Sequence, residues 1–220
     1  MRLSAPCLIC LFAFAGATGA LGGPVNLITN GGFEDPAIAL GSFTVLPSIP
    51  GWSATAGIEL QSSDSEGPGL VTPFGNQYVE LNVHGPSTIS QTITTVPGQQ
   101  YDLSFALSAR PGTGSNSVRV GFTGNADAVF TATDTGTLNF QTFSQSFLAR
   151  SSSSTLSFSP SGMFANPELG DELDNVTLAT PTATGVPLPA AFWPGMATLV
   201  VIGSILSTSS IRRRIVVARR

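Results

Sequence analysis

The chain has 220 residues, with 24 Gly, 16 Pro, 14 Phe, 42% hydrophobic and only 10% charged residues, which excludes a disordered polyelectrolyte and leaves room for one sandwich-sized domain with flanking segments. Every basic residue is an Arg. Six of the nine (Arg2, Arg212, Arg213, Arg214, Arg219 and Arg220) lie at the ends, whereas all 13 acidic residues fall between Glu34 and Asp174. The central part therefore carries 3 − 13 = −10 and offers nucleic acid no basic patch. Cys7 and Cys10 are the only cysteines, so the central part holds no disulfide and no thiol nucleophile or ligand.

In chain order, residues 1–20 read as a secretory signal peptide. Arg2 precedes an apolar stretch from Cys7 to Ala15, and Ala15-Gly16-Ala17 or Thr18-Gly19-Ala20 supplies the small-residue cleavage site. Residues 25–180 read as strands. Val79, Leu81 and Val83 alternate with polar neighbours, as do Tyr101, Leu103, Phe105, Leu107 and Ala109, then Val118, Val120 and Phe122, then Leu156 and Phe158. Pro50-Gly51, Pro97-Gly98, Pro111-Gly112 and Thr123-Gly124-Asn125 punctuate them as turns. The serine run Ser151–Ser154 reads as a turn or an exposed strand edge. The expected fold is an all-β sandwich of antiparallel sheets. Residues 181–187 form a linker and sorting motif, 188–208 a transmembrane helix flanked by Trp193, and 209–220 a basic tail that the positive-inside rule leaves in the cytoplasm. The sandwich then faces away from the cytoplasm.

Val186-Pro187-Leu188-Pro189, the apolar stretch after it and Arg212-Arg213-Arg214 together resemble the VPLPA variant of the PEP-CTERM sorting signal. The resemblance implies an exosortase-type protease as partner, passage through the inner membrane, and a final place at the cell surface or in the extracellular matrix of a Gram-negative bacterium. Leu188 stands where the PEP motif has Glu.

The central region opens with Asn30-Gly31-Gly32-Phe33-Glu34. It continues through Pro50-Gly51-Trp52, Gly75-Asn76-Gln77-Tyr78-Val79-Glu80-Leu81, Ile89-Ser90-Gln91, Val96-Pro97-Gly98 and Tyr101, and closes with Asp174-Asn175-Val176. This ordered series resembles the domain-of-unknown-function 642 family and its galactose-binding-like jelly-roll relatives, carbohydrate-binding modules among them. The resemblance implies that the opening motif is a first strand meeting the last one, with Glu34 and Asp174 as side-chain ligands of a structural Ca²⁺, an ion that takes oxygen donors. The plain alternative is a turn at Asn30-Gly31 and a strand end at Asp174.

For a glycan, Trp52 and Tyr78 are candidate stacking platforms, and Glu80, Asn82 and His84 candidate polar contacts. Against that stands a packing role for Trp52 at the end of the sandwich. His84 is the only histidine and no G-x-S-x-G elbow is present, so a hydrolytic triad has a single candidate imidazole base and no nucleophile turn. Glu59 and Glu80 remain as a conceivable glycosidase pair. The sequence thus predicts a non-catalytic, exported, carbohydrate-binding-like module whose partner is exopolysaccharide or an envelope glycan. A structural matrix protein without sugar binding is the alternative, and a glycoside hydrolase ranks third.

Overall fold

The computed structural model describes residues 25–161 and 170–181. The expected signal peptide, sorting motif, transmembrane segment and basic tail lie outside these residues. Among the described residues no helix is long and apolar enough to cross a membrane. They form ten strands: β1 (Phe43–Ile49), β2 (Trp52–Ser62), β3 (Gln77–Glu80), β4 (Ile89–Thr94), β5 (Gln100–Ala109), β6 (Asn116–Phe122), β7 (Ala128–Ala132), β8 (Gln141–Leu148), β9 (Ser153–Pro160) and β10 (Asp171–Ala179). All pairings are antiparallel.

The hydrogen-bonded order is β7-β6-β9-β4-β2-β3-β10-β5-β8, with β1 alongside β2. One long strand joins the two halves. The start of β2 pairs with β4 through Ser53 and Ala54, while its end pairs with β3 through Glu59 to Ser62. Between them Gly57 has φ +109, a conformation that side-chain-bearing residues avoid. The register of β1 against β2 shifts at the same level, between Leu46 and Ser48. A strand that bends this way turns one sheet back over itself. Phenylalanines then meet across the interior: Phe105 of β5 lies 5.2 Å from Phe158 of β9 and 5.1 Å from Phe130 of β7, and Phe122 of β6 stacks on Phe147 of β8 at 5.0 Å. Leu60, Val79, Leu173 and Leu107 form a buried cross-strand row on the inner face.

The alternating windows at 101–109, 118–122 and 156–158 became β5, β6 and β9, and the window at 79–83 is strand only as far as Glu80. The serine run divides: Ser151 and Ser152 form a bend and Ser153 is exposed, as expected, but Ser154 lies within β9, buried with its hydroxyl 3.0 Å from that of Thr95. One expectation needed correction. The opening motif is not a strand but an irregular segment laid along β10. Leu27 N–H donates to Leu178 O and Val176 N–H to Gly31 O, both at 2.8 Å. Positive φ at Asn30 and Phe33 breaks the pleat, and a Cβ on Gly31 would sit 2.0 Å from Val176 O.

Side chains strap this segment down. Gln91 accepts from Thr29 N–H (2.8 Å) and donates to Thr29 O (2.9 Å), and Trp52 Nε1 donates to Asn30 O (3.0 Å). Gln77 Nε2 donates to Phe33 O (2.7 Å) and Pro36 O (3.0 Å). In the turn before β5, Val96 N–H donates to the Tyr101 hydroxyl at 3.0 Å. The short motifs that are scattered through the sequence are thus hydrogen-bonded to one another.

Replacing Gly57 by Ala forces the corner of β2 into a backbone region open almost only to glycine, so stability should fall by about 1–3 kcal/mol. Urea unfolding checks this, and an unchanged midpoint would contradict the corner role.

Candidate functional site

The outer face of the β2-β3-β10-β5 half is not uniformly exposed. Glu59, Glu80, Glu172 and Ser108 stand opposite one another in register across these four strands. Two covering stretches seal this end of the face. In residues 63–76, Ser65 Oγ donates to Gln61 Oε1 (2.8 Å) and Thr72 Oγ1 to Asp174 Oδ2 (2.5 Å). In the β7–β8 connection, Asn139 N–H donates to Ser108 Oγ (2.9 Å), and the Phe140 ring packs edge-on against Tyr78 at 5.7 Å.

Glu80 and Glu172 are fully buried beneath this cover, and Glu66 projects a side chain only 4% exposed toward them. One oxygen from each of the three carboxylates lies within 4.8 Å of the others. Glu80 is fully engaged: Oε1 accepts Gly170 N–H (2.5 Å), and Oε2 accepts Gln61 Nε2 (2.8 Å) and Arg110 Nη1 (2.7 Å). Arg110 Nε also lies 3.0 Å from Glu66 Oε1. Neither Glu172 oxygen has a hydrogen-bond donor among the described residues; its nearest polar company is the carboxyl of Glu66, another acceptor unless one of the two keeps a proton.

Burial dominates the electrostatics. It pushes the Glu80 carboxyl up to about 8 despite Arg110, helped by Glu59 and Glu66. It holds Glu172 well above the usual carboxylate range, with Glu80 and Glu66 adding to the effect. It raises Asp171 to about 7 by desolvation alone, and Asp174 to about 7 against the hydrogen bonds from Thr72 and Asn175.

The residues singled out for a glycan are mostly interior. Trp52 is 2% exposed, 5.5 Å from Phe33 and 6.1 Å from Phe158. Tyr78 and Asn82 are buried, Tyr78 with its hydroxyl 3.2 Å from Ser65 Oγ. Neither ring presents a face on which a sugar can stack, and Glu80 and Asn82 offer it no contact; His84 alone of the five is exposed. Glu59 and Glu80 do face each other, but Gln61 Nε2 links them (3.2 and 2.8 Å) under the cover, out of reach of a glycosidic oxygen.

Glu34 and Asp174 come within electrostatic reach of each other. Glu34 Oε1 accepts Asn76 N–H (2.7 Å) and Gln77 N–H (3.0 Å), and the absence of a Cβ at Gly75 makes room for it. Asp174 Oδ1 accepts Asn175 N–H at 2.6 Å. Both are oxygen donors, the type that Ca²⁺ takes, and the fold places them within electrostatic reach of each other.

The other end of the same outer face is open. Asp102 and Ser146 are register partners, with Ser146 Oγ donating to Asp102 Oδ1 at 2.6 Å, and Ser104 pairs with Ser144 on one side and Thr177 on the other. A groove of about 510 Å³ lies here, lined by Asp102, Leu103, Ser144, Gln145 and Ser146. No sequence pattern singled it out, since short polar side chains on a strand read as ordinary solvent-facing positions.

An antiparallel sheet folded over a phenylalanine-rich core, with a sealed acidic end and an open hydroxyl-lined end, defines an all-β sandwich-like domain. Residues 26–179 match the family described as protein of unknown function (DUF642), and the chain belongs to that family. Among solved structures it is similar to TmCBM61 in complex with beta-1,4-galactotriose (17% identity, TM-score 0.46, 71% of this chain and 99% of that chain covered). It is also similar to a family 35 carbohydrate binding module from Clostridium thermocellum (13%, 0.43, 62% and 97%). A third is an exo-beta-1,3-galactanase from Phanerochaete chrysosporium, of which the match covers 29% (15%, 0.41, 62% of this chain).

The raised carboxyls set a direction for pH dependence. Unfolded, they lose their protons near pH 4; folded, Asp171 and Asp174 keep theirs to about 7 and Glu80 to about 8. Their contribution to stability is complete below the unfolded value and is lost as pH rises to the folded values, by up to about 1.4 kcal/mol per pH unit per group. In chelator, the urea midpoint should be higher at about pH 5 than at about pH 8; the reverse order would contradict the burial assigned to these groups.

Proposed function

We propose that this domain is a non-catalytic, exported recognition module that holds a glycan chain on its open sheet face, along Asp102, Ser144 and Ser146. One observation carries the reading: a groove of about 510 Å³ lined by a carboxylate, hydroxyls and a carboxamide lies on paired strands, where sugar hydroxyls find both donors and acceptors already positioned. Burial of Glu80 supports a binding rather than a hydrolytic role. Export by residues 1–20 and sorting through Val186-Pro187-Leu188-Pro189 and Arg212-Arg213-Arg214 by an exosortase-type protease complete the reading and place the module at the bacterial surface or matrix. A structural Ca²⁺ between Glu34 and Asp174 ties the opening segment to β10.

Affinity electrophoresis of the full-length chain through galactans and bacterial exopolysaccharide tests the binding reading. Retention is expected, and Asp102→Ala should weaken it roughly tenfold, the worth of a hydrogen bond to a charged group. A folded protein with no retention on any glycan favours a purely structural matrix role. For the Glu34–Asp174 calcium, saturating Ca²⁺ at about a hundred times its dissociation constant adds about 2.7 kcal/mol, so Asp174→Asn should shrink the thermal shift between CaCl₂ and chelator; an undiminished shift removes this ion from the reading.

A further inference from the structure

We propose that Glu66, Glu80 and Glu172 form a second divalent-cation site, separate from Glu34 and Asp174, with Ca²⁺ as the ion. The acidic cluster does not carry this by itself. Glu172 does: it is fully buried, brings one oxygen within 4.8 Å of an oxygen of each of the other two carboxylates, and has no donor among the described residues. An ionised carboxylate buried this way costs several kcal/mol unless a cation completes it or it keeps a proton.

Charge and geometry agree on what completes it. Glu66, Glu80 and Glu172 with the Arg110 guanidinium sum to −3 + 1 = −2, and the half-buried Glu59 beside Glu80 adds further negative charge, an excess that a divalent cation offsets. Three oxygens mutually within 4.8 Å all lie no more than about 2.8 Å (4.8 divided by √3) from some common point, close to the 2.3–2.6 Å of a Ca–O bond. The donors are all oxygens, with no imidazole or thiolate, which disfavours zinc and copper. The cluster brings together one oxygen from each of three carboxylates, and Ca²⁺ accepts such a set with flexible geometry, whereas Mg²⁺ demands a tighter octahedron at 2.0–2.1 Å.

The register explains how the ligands assemble. Glu80 and Glu172 are direct cross-strand partners on β3 and β10, so their carboxylates project side by side from one face. Glu66 comes down from the covering stretch, so the ion would pin that cover to the sheet. Cross-strand like charges are otherwise destabilising.

The test is calorimetric titration of the chelator-stripped full-length chain with CaCl₂, alongside thermal melts in CaCl₂ and in chelator. The wild type should bind two ions. Glu172→Gln should lose one of them and keep the other, and Asp174→Asn should lose the other one. Glu66→Gln should reproduce the Glu172→Gln loss, and it answers the question if Glu172→Gln does not fold. Binding of a single ion that disappears in Asp174→Asn and persists in Glu66→Gln would overturn the proposal. So would a Glu172→Gln or Glu66→Gln protein that still binds two ions, or one that is more stable than a wild type indifferent to CaCl₂, because a shared proton then balances the cluster. None of these ligands lines the Asp102 groove, so the glycan reading stands or falls separately.

Discussion

Carboxylates sealed from water on the outer face of a sheet are the constraint around which this domain is arranged. A sheet in a sandwich normally buries one face and wets the other. Here residues 63–76 and the β7–β8 connection close over one end of the second face, and beneath them lie Glu80, Glu172 and Asp174 with a single guanidinium, that of Arg110. Every burial of this kind demands a partner for the charge. Glu80 has three donors, Asp174 has two, and Glu172 has none among the described residues. Asp171, the preceding residue of β10, is likewise buried without a donor among the described residues, but Glu172 is the one that faces other carboxylates.

The two ends of that face divide the labour. The covered end supplies rigidity, because its loops are bonded to strands that are themselves bonded on both sides. The open end keeps short hydroxyl side chains on β5, β8 and β10, where they can meet a polar chain without rearrangement. Both depend on the same two backbone devices. Gly57 lets β2 serve both halves of the sheet. The register shift between Asp174 and Thr177, with Asn175 at φ +50, releases Val176 N–H to the opening segment while returning Thr177 and Leu178 to their pairing with β5.

Much of the sandwich was legible in the sequence because β5, β6 and β9 each bury one face against the core and alternate accordingly. β2 was not legible: it changes sheets at Gly57, and its buried Gln61 and Ser62 break the pattern. Period two also tells which residues share a face but not whether that face is covered. Tyr78 and Glu80 therefore read as solvent-facing and turned out to lie beneath a loop, and of the two readings of Trp52, platform or packing at the end of the sandwich, the structure shows packing. Glu59 and Glu80 lie in register, but Gln61 bridges them and Glu80 is sealed from solvent. Glu172 and Glu66 carried no local signal, because strand register brings the first to Glu80 and a covering loop the second, and neither is written in spacing along the chain. The opening motif was found by resemblance and misread as a strand, since its positive-φ residues and its side-chain anchors lie elsewhere in the sequence.

The account rests on the claim that the Glu66–Glu80–Glu172 cluster is never simultaneously ionised and without a balancing cation. Infrared difference spectroscopy with glutamate carboxyls labelled by ¹³C reads this directly. In chelator at neutral pH, the folded protein should show the carbonyl band of a protonated carboxylic acid, and CaCl₂ should replace it with carboxylate bands. A chelated, folded protein whose labelled glutamates are all carboxylate would contradict the account.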